Sequence, residues 1–356
     1  MQPSPLYLIP IVPAWAQAGS DDAAIVLTTR VRLARNVVGE VYPNRMDTEA
    51  RIRVIRQAAR SISALPDYGD GVFFSLASLS PQEIMVLVER RTISLQLAKD
   101  EGPRGVFVWK NVDRAIMVCE EDHVRVSEIV PGLAPLEAYG KIAPVMEELA
   151  RTLEFERDDD LGYLTACPAN LGAAVRTSLF CHLPALVMTG GIESLASHVA
   201  DAGFTVRGFW GEGSEVLGNT FQLTDGPGLS LQTADMLSRI ESLGQEVIER
   251  EALARIDLQT QKDIILKDKL ARAIAILQNC RVLSGAETLA LFSAMRLGID
   301  IGLIEGVTRK DISLLTFELG KGYLRMALDG GSSVEVRQTY RANRVREVFH
   351  KARMSG

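Results

Sequence analysis

What this sequence lacks narrows its function first. It has no run of about 18 apolar residues, so no membrane-spanning helix is expected. Cysteine is sparse: Cys119, Cys167, Cys181 and Cys280 lie far apart with no C-x-x-C pair, which suggests neither a zinc site nor a disulfide framework and makes a reducing cytoplasm the expected location. The four histidines (123, 182, 198, 350) form no cluster and no H-E-x-x-H, and each is expected to be structural. There is no G-x-x-x-x-G-K-[ST], no G-x-G-x-x-G opening a helix and no G-x-S-x-G, which argues against a P-loop, a Rossmann site and a nucleophile elbow. Positive charge is in deficit, 39 Lys and Arg against 45 Asp and Glu, so binding to nucleic acid through overall charge is not expected. The opening segment, Met1 to Gly19, has the apolar stretch Leu6–Val12, but no Lys or Arg precedes Arg30 and prolines interrupt the run, so no secretory leader is expected.

What is present is an ordinary globular composition, 47% hydrophobic and 24% charged over 356 residues, a length that suggests two domains. Ile25, Leu27, Val31 and Leu33 alternate with polar or small residues, predicting a half-buried strand that projects Arg30 and Arg32 from one face, about 7 Å apart. A helix is predicted over Asp47–Leu65, capped by Asp47, with Ile52, Ile55, Ala58, Ala59 and Ile62 inward. Further helices are predicted over Pro81–Arg91, Leu136–Leu153 and Ile192–Ala202. Val106–Trp109 and Ala115–Cys119 read as a hairpin, its second strand running on through Arg125. Gly162–Ala166, Phe204–Trp210 and Phe221–Leu223 read as strands, and Asn170–Cys181 as a helix. After Gly226-Pro227-Gly228 the pattern is helical from Leu231 to about Leu319, with a basic helical tail from Val336. A boundary near residue 229 divides the chain into 1–228 and 229–356.

Three segments hold chemistry. Three adjacent acids at 120–122 read first as a solvated turn, but on a continuous strand Cys119, Glu121, His123 and Arg125 share one face. A lone cysteine is usually an inert small hydrophobe; Cys167, just before a predicted helix, stands where free N–H groups stabilise a thiolate. Arg207-Gly-Phe-Trp-Gly-Glu212 reads as a strand entering a glycine loop, the kind that closes on ligands.

Together these segments resemble the phosphagen (guanidino) kinases. The resemblance rests on Thr29-Arg30-Val31-Arg32, Glu-Glu-Asp-His-x-Arg at 120–125, Cys-Pro-x-Asn-Leu-Gly at 167–172 with Arg176, and Arg207-Gly-x-x-Gly-Glu212, in the family's order over residues 25–223. It implies an α+β fold, a large antiparallel sheet flanked by helices, followed by a mainly helical C-terminal domain. The early catalytic strand and the extra helical domain are similar to the branch that phosphorylates arginine side chains in proteins, against two alternatives: a kinase for a small guanidino metabolite, or a non-catalytic phosphoarginine-binding adaptor. By the resemblance, Glu121 and Glu212 grip and deprotonate the acceptor guanidinium beside Cys167, and Arg30, Arg32, Arg125, Arg176 and Arg207 hold the phosphates of ATP. Magnesium arrives with the nucleotide, and no protein metal ligand is implied. Arg337-Gln338-Thr339-Tyr340-Arg341-Ala342 is similar to a phosphoarginine-sensing motif of that branch, with Gln338 where an acid stands. Cys119, Ala173-Ala174 and Trp210 are further departures from relatives. The implied partners are proteins with exposed arginines, a zinc-binding activator adaptor, a Clp unfoldase–protease and a second copy of the chain, with neither membrane nor nucleic acid among them.

Overall fold

A computed structural model describes residues 12–17, 24–208, 217–226, 232–328 and 332–355. In chain order, the first part runs α1 (Ala14–Gln17), β1 (Val26–Arg35), α2 (Thr48–Ser63), β2 (Gly71–Ser75), α3 (Pro81–Glu89), α4 (Leu95–Lys99), β3 (Gly105–Trp109), β4 (Arg114–Val118) and β5 (Val124–Pro131). It continues with α5 (Pro135–Ala150), the two-residue strands β6 (Arg157–Asp158) and β7 (Gly162–Tyr163), β8 (Val175–His182), α6 (Pro184–Thr189), α7 (Ile192–Asp201), β9 (Phe204–Arg207) and β10 (Thr220–Asp225). The C-terminal part is helical: α8 (Thr233–Gln261), α9 (Asp263–Asn279), α10 (Gly285–Asp300), α11 (Arg309–Glu318), α12 (Lys321–Ala327) and α13 (Val334–Phe349), with the short pair β11 (Ile304–Glu305) and β12 (Arg353–Met354). Among the described residues no helix is long and apolar enough to cross a membrane.

Eight strands form one antiparallel sheet in the order β2-β3-β4-β5-β1-β8-β10-β9. The period of two sorts its faces. Val31, Leu33, Val124, Val126 and Val175 point to one side, where α2 and α5 bury them against Val54, Ala58, Ile142 and Leu149. On the other side α3 and α4 cover only the β2–β4 end, packing Val86, Leu87 and Leu97 on Val106, Val108 and Met117. Centrally, β5, β1 and β8 present Arg125, Arg30, Arg32 and Arg176 on this second face. An antiparallel sheet tolerates this division because one face can be apolar and the other polar.

Asp47 caps α2 as expected, accepting from Ala50 N at 2.8 Å, though Val54 rather than Ile55 or Ile52 occupies the innermost position. The predicted helix over Asn170–Cys181 is wrong. Pro168–Asn170 makes one 3-10 turn, Gly172 and Ala174 take positive φ (98° and 49°), and Val175–His182 is a central strand. Left-handed backbone at two nearby positions ends a helix before it starts. The predicted strand over Gly162–Ala166 shrinks to Gly162–Tyr163. Phe209 and Trp210, at the end of another predicted strand, lie outside the described residues, as does the boundary near 229.

Candidate active site

The arginines come together because their strands are neighbours. Arg32 lies opposite Arg176 on β8 and Ser127 on β5; Arg30 lies opposite Ser178 and Ile129; Arg125 faces Ala34 across the β5–β1 pair. All therefore project from one face of three adjacent strands. Arg207 shares that face from the sheet edge, in the row formed with Gln222, Phe180 and Thr28. The Nε atoms of Arg30, Arg32 and Arg176 are buried and find no hydrogen-bond partner among the described residues. Burial pushes the Arg30 pKa down to about 10, Glu120 offsetting part of this and Arg125 and Arg176 adding to it. Burial lowers Arg32 further, helped by repulsion from Arg30, Arg125 and Arg176. A floor of desolvated, underpaired guanidinium groups is a site for a multiply charged anion, because its donors are planar, fixed and unsatisfied.

The acidic segment is not the continuous strand predicted from sequence. The chain reverses at Cys119–His123: Cys119 has φ 59°, its N–H donates to His123 O at 3.0 Å, and Glu120 N donates to Asp122 O at 3.2 Å. Cys119 thus joins the apolar core beside Val118 and Val124, and burial pushes its thiol up to about 12. His123 is buried too, Nδ1 accepting from Val37 N and Nε2 lying 2.9 Å from Val41 O, as expected for a structural histidine. Glu121 occupies the turn's tip, and the turn wraps Arg125 in acids. Glu120 pairs with it, Glu121 Oε2 lies 2.6 Å from Nη2, and Asp122 Oδ2 lies 3.2 Å away. Burial alone would lower the Arg125 pKa, but the three carboxylates outweigh it and the pKa is raised.

Cys167 precedes the single 3-10 turn, where Asn170 N donates to Cys167 O at 2.9 Å. The helix dipole invoked for a thiolate is absent, because one 3-10 turn has no stack of aligned peptides. The turn instead serves geometry. Asn170 Oδ1 accepts from Arg176 Nη1 at 3.4 Å while its Nδ2 reaches Glu121 Oε2 at 3.5 Å. A narrow pocket is lined by Arg32, Arg125, Asn170 and Arg176.

Sequence reasoning missed Asp225, Arg91 and Phe180, and quoted Asn170 in a motif without giving it a role. Asp225 Oδ2 accepts from Thr177 N at 2.8 Å. Its burial pushes the pKa up to about 7, with Arg176 and Arg32 among the groups pulling the other way. Arg91 holds its guanidinium carbon 3.1 Å from the centroid of the Phe180 ring. Both line a cavity of about 500 Å³ that starts beside Thr28, two residues before Arg30 on the same face of β1, and ends against α10 and α11. Only Phe180 was within reach of sequence, through the alternation Arg176, Ser178, Phe180. Glu212 lies outside the described residues. Arg337 and Arg341 are not at the sheet face: on α13, Arg337 pairs with Ser332 and Arg341 Nε donates to Leu319 O at 3.0 Å, bordering the far wall of the large cavity.

The chain is similar in sequence and fold to known proteins. The family described as ATP:guanido phosphotransferase, C-terminal catalytic domain, matches residues 53–254, and the protein-arginine kinase McsB C-terminal domain matches 263–355. The chain is 35% identical over 338 residues to a protein-arginine kinase of Geobacillus thermodenitrificans, covering 94% of this chain and 93% of the relative. It is 33% identical to that of Bacillus subtilis over 340 residues, 95% and 93% of the two chains. In fold it is similar to the duplicated taurocyamine kinase of Schistosoma mansoni, with a TM-score of 0.59 at 24% identity over 71% of this chain and 37% of that one. A lombricine kinase gives a TM-score of 0.57 at 20% identity over 68% and 71% of the two chains. Catalytic sheet and helical appendage together, the chain belongs to the ATP:guanido phosphotransferase family, in the branch of the protein-arginine kinases.

Proposed function

We propose that this chain transfers the γ-phosphoryl group of ATP to the guanidinium of arginine side chains in proteins. The observation that carries the reading is the floor of underpaired guanidinium groups on β1 and β8 beside a turn that offers Glu121 at its tip. Arg30, Arg32, Arg125, Arg176 and Arg207 hold the phosphates, and transfer is chiefly positioning and charge neutralisation. Magnesium comes with the nucleotide, on phosphates and water. The triphosphate on Arg30 and Arg32 directs the purine toward Thr28, Phe180 and Arg91 and the mouth of the large cavity.

The acceptor is a protonated guanidinium with a pKa above about 12, a poor nucleophile until it is held and loses a proton. Glu121, with Glu212 from the glycine loop, grips its nitrogens, and one of the two carboxylates takes the proton. The N–P bond forms as the bond from the γ-phosphorus to the bridging oxygen breaks, and that electron pair leaves on ADP. On this reading Cys167 meets the same cation and biases its orientation.

Residues 1–228 act as the catalytic domain, and 229–356 as a helical domain for self-association, with Arg337 and Arg341 sensing phosphoarginine. Client proteins, a zinc-binding activator and a Clp unfoldase–protease in the cytoplasm complete the reading. Intact-mass analysis of an arginine-rich protein after incubation with Mg-ATP, with fragmentation that spares acid-labile N–P bonds, tests it. Phosphate is expected on arginine, with the rate falling at least about 10²-fold in Glu121→Gln and sharply in Cys167→Ser. Turnover of free arginine or another free guanidine, with no labelled protein, would replace the reading with a small-metabolite kinase.

A further inference from the structure

Glu121 and Cys167 come from segments far apart in sequence, and neither segment is a regular element that would fix its partner. One buried amide joins them. Asn36, directly after β1, is 0% exposed. Its Nδ2 donates to Asp122 Oδ1 at 2.7 Å and to Leu164 O at 3.1 Å, and its Oδ1 accepts from His123 N at 2.9 Å. Both donor hydrogens and the acceptor are in use, and each bond leads to a different backbone segment or side chain. Asp122 closes the loop: the oxygen that takes Asn36 Nδ2 also takes Ala166 N at 2.8 Å. That oxygen belongs to the residue after Glu121 and holds the residue before Cys167, and Asn36 fixes where it sits.

The amide touches none of the phosphate-facing arginines. It follows a strand held by sheet neighbours on both sides, so its position is set by the centre of the sheet. Replacing it leaves the buried His123 N–H and the Leu164 carbonyl without their partner and takes one of two donors from Asp122 Oδ1, so that the Ala166 N bond alone holds the 164–167 segment to the turn.

We propose that Asn36 is a positioning residue for phosphoryl transfer, setting the spacing between the Glu121 carboxylate and the Cys167 thiol so that both meet one guanidinium. This rests on the guanidinium-gripping reading of Glu121 and Cys167. The chemistry tolerates little slack, since a displacement of about 1 Å costs roughly 10²-fold in rate.

The test compares Asn36→Ala, Asn36→Ser, Cys167→Ala, Glu121→Gln and the Asn36→Ala/Cys167→Ala double variant, as full chains, by kcat, KM for ATP, KM for a protein acceptor and ATP affinity by titration. Thermal unfolding establishes the folded fraction. Expected are a kcat loss of about 10–10²-fold in Asn36→Ala, ATP affinity within about twofold of the parent, and a double variant no slower than Cys167→Ala. Asn36→Ser, which keeps one donor, should fall between parent and Ala, and it carries the test if the Ala variant does not fold. An unchanged kcat, a loss confined to KM for ATP, or losses that multiply in the double variant would overturn the proposal. Full activity in Cys167→Ala and Glu121→Gln would instead overturn the gripping reading beneath it.

Discussion

Glu128 on β5 is fully buried, with Arg114 Nε at 3.0 Å and Lys141 Nζ at 3.7 Å. Burial, with Asp113 adding repulsion, pushes its carboxyl pKa up to about 7. Between the unfolded value and about 7 the folded chain holds a proton that the unfolded chain has lost. Its contribution to stability is therefore complete below about pH 4 and lost as pH rises through about 7. Glu128→Gln should flatten the decline of unfolding free energy between about pH 4 and 7 in denaturant titrations, by an amount on the order of 1–3 kcal/mol over that range. A parallel decline in the variant would assign the slope elsewhere. At this scale the sequence was legible where a motif names a residue: Arg30, Arg32, Arg125 and Arg176 share one face of adjacent strands, and Asn170 links Arg176 to Glu121. Asn36 was not, because it stands in no quoted motif and acquires its meaning from partners on other segments, such as Asp122 and Leu164; Asn170 stood in a motif, but its links to Arg176 and Glu121 appear only in the fold.

The longest helix, α8, lies on the apolar sheet face through a stripe of Leu237, Ile240, Gly244 and Val247 that its period made legible. Gly244 is the close-approach point. A Cβ there would fall inside the Leu133 side chain and 3.0 Å from Leu179 on β8. Gly244→Ala should cost about 1–3 kcal/mol through overpacking, read as a lower Tm, and the loss should shrink when Leu133→Ala opens the space. Elements were missed where local pattern and long-range pairing disagree. Val175–His182 follows an Ala-rich run that favours a helix, yet it sits between β1 and β10, and pairing on both sides decides the matter. The 119–123 reversal was hidden by the alternation of Val118, Val124 and Val126, which a tight turn leaves intact when it returns to the same face.

On the scale of the molecule, one apolar core runs from β8 and β10 into α8–α13, so the helical part is seated on the catalytic sheet. A buried polar group fixes how it sits. Glu251 on α8 accepts from Ala185 N and Leu186 N of α6 at 3.1 and 3.0 Å and from Arg255 Nε at 3.0 Å, and Arg255 reaches Asp300 on α10 at 3.2 Å. Such buried pairs fix geometry more than they add net stability. The helical character of this half was legible; its seating was not, since Ala185 and Glu251 gave no sign in sequence of being neighbours.

Glu121 holds Arg125 before any substrate arrives. On the proposed reading, in which Glu121 grips the acceptor, Arg125 occupies that carboxylate as an acceptor arginine would. On that reading a triphosphate that draws Arg125 away would release Glu121, and an acceptor that occupies Glu121 would release Arg125 for phosphate. Each substrate removes the other's internal competitor, and by linkage the help must be mutual and equal. Affinity for a non-hydrolysable ATP analogue should therefore rise in the presence of an acceptor peptide by the same factor as peptide affinity rises with the analogue. In Glu121→Gln, where the competitor's charge is gone, both factors should fall toward one.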